Sequence, residues 1–266
     1  MNRIDKKFKD LKEAGEKALV AFITAGDPCI EKSLDIICKA VESGVDVLEL
    51  GVPFSDPTAD GPTIQKASMR ALEAGVNVST VFEMVHAIRK RCGDSLPIIL
   101  FSYYNPIHNY GVEQFCDDAI NAGADGALIV DLSFEEKDEF ESSCIDKDFK
   151  LIHLVAPTTK GKRLEDICKQ GKGFIYMINR VGITGTGGVD KDSIKAGVER
   201  IKAYTDVPVC MGFGVSSPED AATIAPFAEG VVVGSLFVRT IEENVNSKEL
   251  ANIVSEKVAS LKKALR

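Results

Sequence analysis

The chain has 266 residues, 45% of them hydrophobic and 27% charged, with a formal net charge of −8. That is the profile of a globular protein long enough for a sizeable core, and the acidic balance argues against nucleic acid as a partner. Seven cysteines, at 29, 38, 92, 116, 144, 168 and 210, and three histidines, His86, His108 and His153, lie dispersed along it. Reduced, mostly buried thiols are therefore expected, and a Cys/His metal site or a Ser-His-Asp triad is disfavoured.

The first segment, MNRIDKKFKDLKEAGEK, reads as a charged amphipathic helix. It lacks the apolar core of a signal peptide, and no apolar run of about 18 residues follows anywhere, so a cytoplasmic location is expected. Eight short apolar runs then recur: ALVAFIT (18–24), DVLEL (46–50), PIILFS (97–102), GALIV (126–130), KLIHLV (150–155), FIYMI (174–178), VPVCM (207–211) and GVVVG (230–234). Nearly continuous hydrophobicity is how strands buried on both faces read. Helical patterns separate them. EKSLDIICKAVESG carries a 3.6-period apolar stripe and a terminating Gly44, and VSTVFEMVHAIRKRCG and GVEQFCDDAINAGA behave alike. SSPEDAATIAPFAEG opens with Ser217 as N-cap and Pro218 at the first helical position. The segment from Ser247 to Arg266 is expected to be a last outer helix.

This alternation predicts an α/β fold, a (β/α)8 barrel, in one domain spanning 1–266 with an extra N-terminal helix over its lower end. An open doubly wound sheet is the rival. It would need a Gly-rich fingerprint directly after the first strand, where the chain reads TAGDP instead.

Barrel sites are built at the carboxyl ends of the strands. Glu49 interrupts the apolar run VLEL near such an end, and Asp60 follows in the loop FSDPTADGP. A carboxyl group at the barrel mouth among apolar walls has its pKa raised toward the range where it can both donate and accept a proton. The bland alternative is an acid paired with a lysine or bonded to loop backbone. For Asp60 the alternative is an ordinary Asp-Gly turn. Glycine clusters follow three successive late strands, in NRVGITGTGG, MGFGVSS and VVVGSLF. With a short helix beginning near Ser235 they form a candidate phosphate cradle, since glycines let backbone N–H groups approach an anion. FSYYNPIHNYG is expected to be an aromatic loop, and with Phe22 and Tyr176 it makes a flat aromatic substrate plausible.

Taken in order, AFITAGDP, LELGVPFSDPTADGP, YYNPI, GITGTGG, GFGV and VVVGS resemble the tryptophan synthase alpha subunit family across essentially the whole chain. The resemblance implies retro-aldol cleavage of indole-3-glycerol phosphate to indole and glyceraldehyde 3-phosphate. It implies Glu49 as proton shuttle and Asp60 as the acid on the indole N–H. Tyr176 would lie beside the glycerol chain, and Phe22, Tyr103 and Phe213 would line the indole slot. Thr184 would be a lid residue that steadies Asp60. Gly185, Gly214, Gly234 and Ser235 would hold phosphate. No cofactor or metal is expected. The partner implied is a beta subunit in an alpha2beta2 heterotetramer, met by Pro53, Asp56, Pro57, Thr58 and Asn105 to Asn109. Two departures stand out: Thr58 where the family often has Leu or Met, and Ser133 where it usually has Pro. Other readings are a different phosphate-binding barrel, a free-standing indole-3-glycerol phosphate lyase, and a barrel kept only to activate a partner. A Schiff-base aldolase would want a lysine ending a strand, and no strand candidate ends in one.

Overall fold

A computed structural model describes residues 1–144, 147–178, 190–212 and 214–266. Its strands are β1 (Ala18–Thr24), β2 (Val47–Gly51), β3 (Ile98–Ser102), β4 (Gly126–Ile129), β5 (Lys150–Leu151), β6 (His153–Val155), β7 (Ile175–Ile178), β8 (Val209–Gly212) and β9 (Gly230–Val233). The helices through the middle of the chain are α1 (Arg3–Ala14), α2 (Ile30–Glu42), α3 (Pro62–Glu73), α4 (Val78–Cys92), α5 (Tyr104–Tyr110) and α6 (Val112–Ala122). They continue with α7 (Asp138–Cys144), α8 (Gly161–Gln170), α9 (Lys191–Lys202), α10 (Pro218–Ile224), α11 (Ser235–Glu243) and α12 (Leu250–Ala264).

All strand pairs are parallel, in the order β5-β4-β3-β2-β1-β9-β8-β7-β6. The two ends of that order, β5 and β6, are separated in sequence by Ile152 alone, so the sheet bends round into a nearly closed barrel. The expected run KLIHLV is thus one strand broken at its middle, pairing first with β4 and then with β7.

Side chains alternate across each strand. One set, Ala18, Val20, Val47, Ile99, Leu128, Phe174, Cys210 and Val232, fills the barrel interior. The other set, including Leu19, Ala21, Ile23, Leu48, Leu50, Ile98 and Leu100, packs outward under the helices. Helix α1 closes the lower end as expected. Its Ile4, Phe8 and Leu11 join the interior cluster, with the Phe8 ring 5.6 Å from that of Phe174.

Two local expectations differ. YNPIHNY, Tyr104–Tyr110, is the helix α5 and not an irregular loop. Pro106 falls in its first turn, where the missing N–H has no intrahelical acceptor to lose. The proline-rich loop after β2 also ends sooner than its composition suggests, because Pro62 is the first residue of α3.

Candidate active site

Glu49 is the central residue of β2, paired with Phe22 on β1 and Ile99 on β3. Val47, two positions earlier, faces the barrel interior, so alternation turns Glu49 inward as well. The sequence placed it at the rim; in the fold it sits deeper, with 0% of its surface exposed. Among the described residues neither Oε1 nor Oε2 has a hydrogen-bond partner, and the same holds for the buried Thr24 Oγ1 at the end of β1. Among the described residues neither a lysine nor a loop backbone group pairs with the acid. Burial pushes the Glu49 carboxyl up to about 8, which leaves it largely protonated at neutral pH.

Tyr176, on β7, and Cys210, on β8, face the same interior. Both are raised well above their ordinary values, first by burial and then by the neighbouring Glu49 charge; Asp60 adds a smaller push on Tyr176. Glu49, Asp60 and Tyr176 therefore share one electrostatic environment although 127 positions separate the first from the last.

Asp60 lies half-buried, two residues before α3. Its backbone N–H donates to Pro57 O at 3.0 Å, closing a turn over Thr58 and Ala59. The Tyr103 hydroxyl donates to Asp60 Oδ2 at 3.0 Å and accepts from the Ala59 N–H at 2.9 Å. Burial raises the Asp60 carboxyl and the Tyr103 bond partly offsets this. Tyr103 thus ties the loop after β2 to the end of β3. Its ring also stacks 5.3 Å from Phe54.

Phe22 is buried between β2 and β9, edge-on to Phe101 at 5.0 Å, and packs with Ile64, Ala67 and Val238. Its position leaves little room for a side chain at two neighbours that the sequence reading did not single out together. A Cβ on Gly51 would lie 2.7 Å from Phe22 Cζ, and one on Gly234 would lie 3.2 Å from Phe22 Cβ. Gly212 is a third such position, since a Cβ there would run into the Tyr176 ring. Each is a small residue at an inward register position beside an aromatic one, a signal legible only once the register is known.

Gly234 is the N-cap of α11 and Ser235 its exposed first residue. Gly214 lies two positions past β8, exposed, at φ +86, with open space where a side chain would stand. Because β8 pairs with β9 in register, these loops are neighbours at the upper end of the barrel. Thr184, Gly185 and Phe213 lie outside the described residues.

Beside these loops the sequence reading missed an ion-pair cluster. Arg70 of α3 donates from Nε and Nη2 to the two carboxylate oxygens of the fully buried Asp27, at 2.7 and 3.0 Å. Its Nη1 is 3.8 Å from Glu242 of α11, which Lys66 also meets at 3.1 Å. The helix after Asp60 is thereby tied to the helix after Gly234. On the outer rim, Pro53, Phe54, Val76, Asn105, Pro106, Asn109 and Tyr110 line a groove of about 530 Å³.

Residues 8–266 match the family model for the tryptophan synthase alpha chain. The chain belongs to the tryptophan synthase alpha chain family. It is 50% identical over 266 residues to the tryptophan synthase alpha chain of Desulfosudis oleivorans, covering 100% of both chains. To that of Caldanaerobacter subterraneus subsp. tengcongensis it is 42% identical over 265 residues, again with full coverage of both. Among solved structures it superimposes on tryptophan synthase subunit alpha from Legionella pneumophila with a TM-score of 0.92 at 38% identity, covering 100% of this chain and 98% of the other. A chain of ligand-free tryptophan synthase from M. tuberculosis gives 0.88 at 31% identity, with 100% and 99% covered. The tryptophan synthase alpha chain is the lyase subunit that cleaves indole-3-glycerol phosphate in tryptophan biosynthesis, and this chain is of that kind.

Proposed function

We propose that Glu49 is the proton shuttle of the lyase reaction and Asp60 its electrostatic partner. The observation that carries this reading is the fully buried Glu49 carboxyl, held up to about 8 with neither oxygen bonded to the described protein. In the protonated form Glu49 donates to C3 of the indole ring, and positive charge spreads to the ring nitrogen. The Asp60 carboxylate, accepting from the indole N–H, stabilises that charge. The Glu49 carboxylate then takes the proton from the hydroxyl adjoining C3. The carbon–carbon bond breaks toward the ring, indole and glyceraldehyde 3-phosphate separate, and Glu49 is protonated again. The proton account closes on one residue, so the step needs no metal or cofactor.

Phe22 and Tyr103 serve as walls of the indole slot, with Phe213, and Tyr176 lies along the glycerol chain. The amino end of α11, at Gly234 and Ser235, holds the phosphate with Gly214 and Gly185, where unpaired helix N–H groups favour an anion. Thr184 steadies Asp60. The alpha chain works with a beta subunit. Pro53, Asp56, Pro57, Thr58 and Asn105 to Asn109, which flank the rim groove, are the contact surface of this reading. The chain acts as one barrel domain in the cytoplasm. Among the described residues no helix is long and apolar enough to cross a membrane.

Replacing Glu49 with Gln keeps the shape and removes proton transfer. Turnover of indole-3-glycerol phosphate by Glu49→Gln should fall by about 10²–10⁴-fold while substrate still binds. A variant that keeps most of its turnover would assign the shuttle to another residue.

A further inference from the structure

Four of the seven cysteines meet in pairs. The Sγ atoms of Cys38, on α2, and Cys92, the last residue of α4, are 3.1 Å apart. Those of Cys116, on α6, and Cys144, the last of α7, are 2.6 Å apart. All four are free thiols. The pairs differ in access: Cys38 and Cys92 are half-buried, whereas Cys116 and Cys144 are 0% and 5% exposed. Neither pair belongs to the lyase machinery.

We infer that Cys38 and Cys92 form a modification site, a vicinal dithiol in space that low-molecular-weight disulfides of the glutathione class convert into a reversible intrachain disulfide. Helices α2 and α4 pack side by side. The sulfurs need approach by only about 1 Å to reach bonding distance, a movement within the reach of side-chain torsions. The exposure of the pair admits the oxidant, and Arg91 lies beside it, held by Asp35 at 2.9 Å.

The chemistry of the two thiols is unequal. The Cys92 S–H donates to Cys38 Sγ, and this bond, aided by the Arg91 charge against the effect of burial, pulls the Cys38 thiol down to about 7. Cys38 therefore supplies the thiolate that attacks one sulfur of oxidised glutathione. A Cys38–glutathione bond forms, the glutathione S–S bond breaks, and one glutathione thiolate leaves. Cys92 is pushed up by the same hydrogen bond, by burial and by the charge on Cys38. Once Cys38 carries glutathione, the hydrogen bond to its thiolate and that charge are both gone. Cys92 can then lose its proton, attack the Cys38 sulfur and expel the second glutathione thiolate. Two thiols of the protein are oxidised, one glutathione disulfide is reduced to two thiols, and the protons released pass to these.

The bridge would close the segment from 38 to 92, which contains β2 with Glu49, the Asp60 loop and α3. It restrains that segment in the unfolded chain and so raises the melting temperature.

The test treats the full chain with oxidised glutathione at pH 7.5. It then quenches with acid, alkylates the remaining thiols in denaturant and maps the peptides by mass spectrometry. A Cys38–Cys92 cross-link reversed by dithiothreitol is expected, with the other five thiols alkylated. Cys92→Ser should stop at a mixed disulfide on Cys38, and Cys38→Ser should take up neither glutathione nor a cross-link. The oxidised wild type should melt roughly 5 °C or more above the reduced form, with turnover unchanged. The inference is overturned if no cross-link forms while a small-thiol control exchanges, if Cys116–Cys144 is the bridge found, or if glutathione is captured at Cys92 in Cys38→Ser.

Discussion

Glu49 carries a cost of burial that the role proposed for it would explain. An ionised carboxylate without partners is expensive to bury, and the group responds by holding its proton. Its folded value of about 8 lies above its ordinary value of 4.5. Between these two the folded chain keeps a proton that the unfolded chain gives up. Stability is therefore unpenalised below about 4.5, falls as pH rises toward 8, and levels off beyond. Glu49→Gln has no such proton to lose. Measured by denaturant unfolding at pH 5 and pH 8.5, its stability relative to wild type should improve at the higher pH, by a few kcal/mol at most. A difference that does not vary with pH would mean that Glu49 is not held neutral. The acid was legible in the sequence because a charge in the middle of Val47-Leu48-Glu49-Leu50 asks for a reason. That neither oxygen finds a partner among the described residues was not legible, because the inward neighbours Tyr176 and Cys210 come from strands far along the chain.

Among the elements, α11 carries the proposed phosphate site at its amino end. Its apolar residues Phe237, Val238 and Ile241 are buried, which anchors the helix and leaves its amino end at the upper end of the barrel. Gly234→Asp would bring a negative charge against that end. Glyceraldehyde 3-phosphate binding should weaken by at least ~10-fold, from the loss of an anion interaction at a helix N-terminus together with added repulsion, while binding of free indole changes much less. Because any Cβ at this position crowds Phe22 at 3.2 Å, Gly234→Ala is the needed control. Calorimetric titration with each ligand reads the outcome, and equal weakening of both ligands by Asp would point to damage of the indole slot. The element boundaries were readable where caps mark them: Ser217 caps α10 by accepting from the Asp220 N–H at 3.2 Å, as its position before Pro218 suggested. Helix α5 was not, since its aromatic and Asn-Pro composition reads as a loop. Asp131 helps to fix it from outside, accepting from the Tyr104 N–H at 2.7 Å.

At the scale of the whole molecule, the Asp60 loop and α5 belong both to the site and to the rim. Tyr103, at the N-cap of α5, holds Asp60, and Asn105, Pro106 and Asn109 of the same helix line the outer groove. A beta subunit seated there would bias the loop toward the arrangement in which Asp60 is placed for its proposed role. Titrating the chain with a beta subunit from the same organism should speed indole release, and sedimentation should show the complex. Rapid cleavage by the chain alone, with no complex formed, would favour a free-standing lyase. Thr58 is exposed in this loop. A hydroxyl where the family often carries a larger apolar side chain should weaken that contact. Ser133, the other departure, has a local role: its hydroxyl donates to Glu136 Oε2 at 3.0 Å, across the short turn Phe134–Glu136.

The sequence by itself determined the alternation of strands and helices, the parallel barrel and the N-terminal helix below it. These follow from hydrophobic period, capping residues and chain order, all of which are local. It also marked Glu49, Asp60 and the late glycines, because residue types that conflict with their surroundings stand out in one dimension. Tertiary structure alone decided what depends on which strands become neighbours. Closure through β5 and β6 brought Tyr176 and Cys210 to Glu49. Register set Gly51 and Gly234 against Phe22, and Gly212 against Tyr176. Packing of α3 on α11 and beside β1 joined Arg70 to Glu242 and to Asp27 of the loop after β1. Packing of α2 on α4 brought together Cys38 and Cys92, which lie 54 positions apart. Such contacts arise from closing long loops, and no local pattern records which partners the closure selects.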